Sequence, residues 1–252
     1  MLSLYEVNAL VHWDERHILA RERITAHLAA EVAGVLRSVN PAWDVRRVEA
    51  PLLVPRALIS DAYDDADVFA QARMDADDHD LVLRPETTPT TYAYMRHLLN
   101  GHFRVRPPLC VWQAGKSFRR EQAQPLKYVR LKEFHQQEFQ CAFTADTGAD
   151  YQELCLEPVR RALAVATGQR TRLVASDRLP AYSRRTMDVE AWVERDARWM
   201  EVCSISLRTD YPDAYVSLDK KGTRRENAIL VLEIAIGLDR CARLWGYASE
   251  EA

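Results

Sequence analysis

The chain has no apolar run near the roughly 20 residues that span a bilayer. Its N-terminal stretch, MLSLYEVNALVHWDE, lacks the basic start and long apolar core of a secretory signal. Cysteine is sparse and scattered, at 110, 141, 155, 203 and 241, with no C-x-x-C pair. That argues against both a structural zinc site and a disulfide framework. An excess of either charge is also missing: 34 Lys and Arg against 37 Asp and Glu leave a net charge of -3. Such a balance excludes a strong non-specific nucleic-acid binder and leaves room only for a local basic groove. These absences lead to the expectation of a cytoplasmic protein without membrane association, its cysteines reduced and half-buried. With 48% hydrophobic and 28% charged residues over 252 positions, the chain is an ordinary globular one, long enough for one large or two small domains.

The most informative stretch runs from Cys110 to Gln140, CVWQAGKSFRREQAQPLKYVRLKEFHQQEFQ. It reads as a hairpin. One strand runs from Val111 through Phe118 to Glu121, a polar turn follows at Gln122 to Pro125, and a second strand alternates from Val129 to Phe134. Arg119, Glu121, Arg130, Glu133 and Glu138 fall on or beside these strands. Charges on a covered face are costly unless paired or bound to something. Two readings stay open at this point: a solvated hairpin with weak cross-strand ion pairs, or a ligand site.

Before it, apolar residues at Ile24, Leu28, Val32, Val35 and Val39 predict an amphipathic helix over 14–38, capped by Asp14 and ended by Pro41. Residues 43–55 alternate like one strand that stops at Pro55. The acid-rich 60–80 stretch reads as a solvated loop, with a lid over a site as the alternative. A buried strand at Leu81 then enters a Pro-stiffened turn, Arg84-Pro-Glu-Thr-Thr, which presents Glu86 and two hydroxyls. After the hairpin come a scaffold helix from Tyr151 to Ala166, ended at Thr167-Gly168, and strands at 171–175 and 186–193. Its inward face is expected to carry Leu154, Leu156, Val159, Leu163 and Val165. Arg208 follows, either as a site residue or in a surface pair with Asp210 or Asp213. Last, an apolar strand from Ile229 carries Glu233, meets Gly237, and turns into a helix with Arg240 in its first turn. A glutamate inside such a strand is costly unless a cation neutralises it.

Phe118-Arg-Arg-Glu121, a loop, and Arg130-x-x-x-Phe134 resemble motif 2 of the class II aminoacyl-tRNA synthetases. The helix and strand before Pro51 resemble motif 1, and the Gly237 corner with Arg240 resembles motif 3. The wording Gln113 to Glu121, Arg130 to Glu138, the Arg-Pro-Glu-Thr turn and the 199–211 segment most resemble the glycyl-tRNA synthetases. The resemblance implies an α+β fold, a class II synthetase-like antiparallel sheet of about six strands flanked by helices. It covers nearly the whole chain, so residues 1–252 are read as a single catalytic domain, and it implies a homodimer. By position, Arg119, Glu121, Arg130, Phe134 and Arg240 would bind ATP, with Arg119 and Arg240 catalytic. Arg119 would fork to carboxylate and phosphate oxygens, Glu121 would accept from the adenine amine, and Phe134 would stack on the base. Glu86, Glu138, Arg208, Glu233 and Ala235 would bind a small amino acid, and Glu233 would also hold Mg²⁺.

Two departures stand out. The chain reads Glu233-Ile-Ala235 where glycyl-tRNA synthetases read Glu-Pro-Ser, which loses a hydroxyl beside the substrate. It also stops soon after the motif 3 helix, so the anticodon-binding domain is expected to be absent. The implied chemistry is attack of the amino-acid carboxylate on the α-phosphate of ATP, driven by positioning and charge neutralisation. The acceptor is a tRNA acceptor end, met by Lys127, Arg130 and Lys132, or a carrier protein or amine in a biosynthetic pathway. A non-catalytic synthetase-like subunit is the third reading.

Overall fold

In a computed structural model of the chain, residues 5–59, 63–70, 80–100, 105–120, 129–147, 149–177, 179–218 and 221–248 are described. In chain order, the elements begin with β1 (Tyr5–Val7), β2 (Leu10–His12), α1 (Glu15–Val39), β3 (Asp44–Arg47), β4 (Leu53–Pro55), β5 (Phe69–Ala70) and β6 (Leu81–Leu83). Next come α2 (Thr88–Asn100), β7 (Leu109–Phe118), β8 (Glu133–Thr144), α3 (Tyr151–Thr167), β9 (Thr171–Ala175) and β10 (Ser183–Val193). The chain continues through β11 (Arg198–Arg208), β12 (Tyr215–Leu218), β13 (Arg224–Asn227), β14 (Ile229–Gly237) and α4 (Leu238–Ala248).

The main sheet has seven strands in the order β3-β7-β8-β14-β11-β10-β9. Six of them pair antiparallel, as expected; β3 adds to the edge of β7 in parallel. Because side chains alternate along a strand, each strand serves two faces. Phe139, Cys141 and Phe143 of β8, Cys203 and Ile205 of β11, Val189 and Ala191 of β10, and Leu232, Ile234 and Ile236 of β14 point to the helical layer. There they meet Ile24, Leu28 and Val32 of α1, Val159 and Leu163 of α3, and Leu238 and Leu244 of α4. The opposite face is apolar at one end only, where Leu109, Val111, Ala142, Ile229 and Val231 lie with Tyr92, Met95, Leu98 and Leu99 of α2. Further along, that face turns polar.

The caps form as their residue types dictate. The Asp14 carboxylate accepts from His17 N–H at 3.1 Å, and Gly168 takes φ 67° where the α3 C-cap requires the left-handed region. All five cysteines are free and fully buried, rather than half-buried, and Cys110 faces Cys141 across β7 and β8. Among the described residues, no helix is long and apolar enough to cross a membrane.

Four expectations are corrected. Residues 43–55 form two strands in different sheets, β3 in the main sheet and β4 in the three-stranded sheet β4-β6-β5. Pro51 lies between them and has no N–H for a ladder, and the Leu52 carbonyl accepts from Arg84 instead. The second hairpin strand starts at Glu133 rather than Val129. Residues 129–132 stay irregular, with Lys132 N–H donating to the Ala9 carbonyl and Lys132 carbonyl accepting from Arg119. In α3, Leu154 and Val165 are exposed, since each stands about half a turn from the stripe of Leu156, Val159 and Leu163. Val39, expected on the inward face of α1, lies exposed at its last position, and Val35 is only partly buried.

The turn joining β10 to β11 places exposed Ala197 at φ 46°, ψ 44°, a left-handed conformation that costs an L-residue about 1 kcal/mol. Ala197→Gly should therefore raise the thermal midpoint by about 1–4 °C. Scanning calorimetry is the measurement, and a lower midpoint would count against the strain.

Candidate functional site

The polar half of the sheet face is built in rows. Gln113, Glu138, Ala235, Ser204 and Asp188 are successive partners across β7, β8, β14, β11 and β10. One row away, Gln140, Glu233, Ser206 and Thr186 do the same. Above this floor lies a cavity of about 240 Å³. It gathers Glu86, Arg119, Arg130, Phe134, Glu138, Glu233, Ala235 and Arg240, eight residues dispersed over the chain. Glu121 and Lys127 lie outside the described residues.

At one end sit three buried carboxylates. Glu138 Oε2 accepts from Thr87 at 2.5 Å and Thr88 at 3.2 Å, and its Oε1 accepts from Gln136 at 2.5 Å. Glu233 Oε2 accepts from Arg208 at 2.6 Å, Gln140 at 2.8 Å and Thr88 at 3.0 Å. Glu86 Oε2 accepts from the Tyr63 hydroxyl at 3.0 Å, while Oε1 is buried with no partner among the described residues. Burial, with Glu233 and Glu86 as like-charged neighbours, pushes Glu138 up to about 8. Burial also raises Glu86, opposed by the pull of Arg208 and reinforced by the repulsion of Glu233. The Thr87 and Thr88 hydroxyls are delivered by the turn into α2, which is itself pinned from below. Gln113 donates to Thr91 at 2.7 Å and accepts from Arg84 at 2.8 Å. Arg84 is fully buried, and a Cβ on Gly115 would come within 2.7 Å of its guanidinium. Only glycine leaves that space.

Arg208 does not line the cavity. It is 1% exposed and lies behind Glu233, with its other arm on Asp210 at 2.6 Å and the Tyr182 ring 3.9 Å from its guanidinium. Burial opposes its charge, but Glu233 and Asp210 more than compensate and hold it above the usual arginine value. Arg208 thus grips Glu233, and its pair with Asp210 joins a buried guanidinium to a carboxylate at the surface.

Glu233, also expected to hold magnesium, already has one oxygen occupied. Its Oε2 is taken by a guanidinium and two further donors, and a divalent cation would have to displace them. Among the described residues, no group of three His, Cys, Asp or Glu is placed to hold a metal.

At the other end, Arg119 donates from Nε to the Pro85 carbonyl at 3.0 Å. Its guanidinium lies 5.2 Å from the Phe134 ring centre and 5.5 Å from that of Tyr63. Arg240 donates to the Glu201 carbonyl at 2.9 Å from the first turn of α4, beside Gly237. Asp239, next to it, accepts His135 N–H at 2.7 Å and Arg21 of α1 at 3.0 Å, so the helical layer is tied to the rim. Arg130, Val129 and Leu131 form the irregular wall that the sequence predicted as strand. The arrangement puts cationic and aromatic groups and a cluster of buried carboxylates on the walls of one cavity.

Sequence reasoning missed Tyr63, Tyr182, Gln136 and Arg84. Tyr63 hides in the acidic stretch whose only alternative reading was a lid, and Arg84 was passed over as part of the turn that carries Glu86. No pattern marks Tyr182, whose partner Arg208 is distant in sequence, or Gln136, whose donation to Glu138 two residues along depends on orientation in the strand.

A family model described as the tRNA synthetase class II core domain (G, H, P, S and T) matches residues 69–245. The glycine–tRNA ligase of Corynebacterium glutamicum is 28% identical over 188 residues, covering 68% of this chain and 40% of the ligase. That of Bifidobacterium longum is 27% identical over 187 residues, covering 68% and 38%. A crystal structure of prolyl-tRNA synthetase from Cryptosporidium parvum, complexed with halofuginone and AMPPNP, aligns with a TM-score of 0.72 over 97% of this chain and 49% of that one. At 14% identity that alignment speaks for the fold alone. The chain spans two fifths or less of the length of these glycine–tRNA ligases. With the family model matched across motifs 2 and 3, and the fold shared, the chain belongs to the class II aminoacyl-tRNA synthetase core-domain family.

Proposed function

We propose that this chain is a ligase that activates a small amino acid, glycine before alanine, as an aminoacyl-adenylate made from ATP. The acceptor in this reading is the 3′ end of a tRNA or tRNA-like molecule, as the names of the glycine–tRNA ligases suggest. One observation carries the proposal: a single cavity of about 240 Å³ is lined both by Arg119, Phe134 and Arg240 and by Glu86, Glu138 and Glu233. A molecule that is cationic at its amine and reacts with a polyphosphate matches that polarity.

In this reading Phe134 stacks on the base, and Arg119 and Arg240 neutralise charge developing on the phosphates. Arg130 reaches the terminal phosphates from the 129–132 wall. The carboxylates hold the ammonium, and Ala235 on the floor limits the side chain. The donor and acceptor are held in line, which lowers the barrier by positioning. Magnesium enters with the nucleotide's phosphates. The chain acts as one catalytic domain and pairs as a twofold homodimer. The open edge of β3 and exposed Leu52, Leu53 and Leu58 support that assembly. Sedimentation at micromolar concentration should give about twice the 29.0 kDa chain mass, and a clean monomer would remove the dimer.

Arg119→Ala should lower glycine-dependent pyrophosphate exchange by about a hundredfold, or about 3 kcal/mol in the barrier. Unchanged exchange would take Arg119 out of the mechanism.

Glu138 titrates near 8 when folded, against an ordinary carboxylate value when unfolded. The folded state therefore holds the extra proton between those values, and stability falls as pH rises through the window. Glu138→Gln removes that penalty. Its thermal midpoint should exceed the wild type's at pH 8.5 by about 2–4 °C, converge with it near pH 5, and lose glycine-dependent exchange. A gap that does not depend on pH would mean Glu138 is ionised throughout.

A further inference from the structure

Tyr63 belongs to the acidic stretch between β4 and β5, yet its side chain lines the cavity. Its ring packs against Val54, Ile59, Val68 and Val82. Its backbone carbonyl accepts from Arg56 at 2.8 Å, and nearby Asp67 accepts Arg120 N–H through its carbonyl at 2.9 Å. The segment is therefore fastened both to the small sheet and to the residue after Arg119. From that seat Tyr63 touches both ends of the cavity. The hydroxyl donates to Glu86 Oε2, and the ring lies on the Arg119 guanidinium, which has Phe134 as its other aromatic neighbour. Arg119 in turn holds the carbonyl of Pro85, the residue before Glu86.

We propose that Tyr63 is the positioning residue of this site, presetting Glu86 for the ligand's ammonium and Arg119 for its phosphates. The inference rests on the adenylation reading for the identity of the ligands. The physical reason is a division of oxygens. With Oε2 occupied by the phenol, Glu86 keeps Oε1 as a buried acceptor with no partner among the described residues, the oxygen left over for a donor such as an ammonium. Burial keeps the phenol protonated well above its ordinary range, so it remains a donor. Without the hydroxyl, Glu86 loses a bond that favours its charge. It then faces Glu233 and Glu138 with Arg208 and Arg119 as the opposing cations, and protonates more readily.

The test compares Tyr63→Phe and Tyr63→Ala with the wild type in glycine-dependent pyrophosphate exchange. Tyr63→Phe should raise the KM for glycine about tenfold, with kcat and the KM for ATP near wild type. That increase should be larger at pH 6.5 than at pH 8.5. Tyr63→Ala should add a rise in the KM for ATP, because the ring against Arg119 is lost. An unchanged glycine KM in Tyr63→Phe, or a fall in kcat with both KM values constant, would overturn the proposal. A second measurement needs no activity: the Glu86 carboxyl, followed by ¹³C NMR through a pH titration, should titrate higher in Tyr63→Phe. An unchanged Glu86 titration overturns the positioning role by itself. Absent exchange in the wild type, alongside a shifted titration, defeats the adenylation reading and leaves the role of Tyr63 standing.

Discussion

The site depends on the ion pair between Arg208 and Glu233, made between neighbouring strands in the middle of the sheet. Three carboxylates on one covered face would repel one another strongly in low dielectric. Arg208 compensates from behind, with Asp210 fixing its second arm and Tyr182 covering its face. Because both partners are buried, removing either would leave an uncompensated charge at a cost of about 3–5 kcal/mol. The proton on Glu138 offsets what the arginine does not. The negative end of the cavity is thus a balance struck within the protein.

Much of this was legible in the sequence, and the legible part is local. Asp14 as a cap, Gly168 as a stop and Gly237 at the strand-to-helix corner are choices that a few neighbouring residues determine. The motif 2 wording singled out Arg119 and Phe134, and both line the cavity. What escaped was orientation across the sheet. Nothing near Arg208 says whether it faces a ligand or Glu233, because that is decided by register between β11 and β14. The same holds for the missing strand at 129–132. Its alternating pattern is real, but its backbone bonds go to Ala9 and Arg119, which no local reading supplies.

Tyr63 illustrates another limit. A tyrosine in a stretch dominated by aspartate reads as solvated. Its burial comes from Val54 and Val82 in the small sheet β4-β6-β5, whose strands the sequence presented separately, as the end of a longer strand, a lone buried strand and part of an acid-rich loop. Once that sheet forms, its apolar layer draws the aromatic ring inward and the hydroxyl follows to Glu86.

The two-faced character of β8 also bears on how such a site changes over time. Along one strand, Phe139 and Cys141 build the core while Glu138 and Gln140 build the floor. Insertion of one residue would exchange the two sets, so the floor is closed to lengthening and shortening. Variation in ligand choice is thereby channelled to the parts of the cavity held from outside the sheet: the segment around Tyr63 and the irregular wall at 129–132. A lineage can rework those walls while inheriting its chemistry unchanged from the floor.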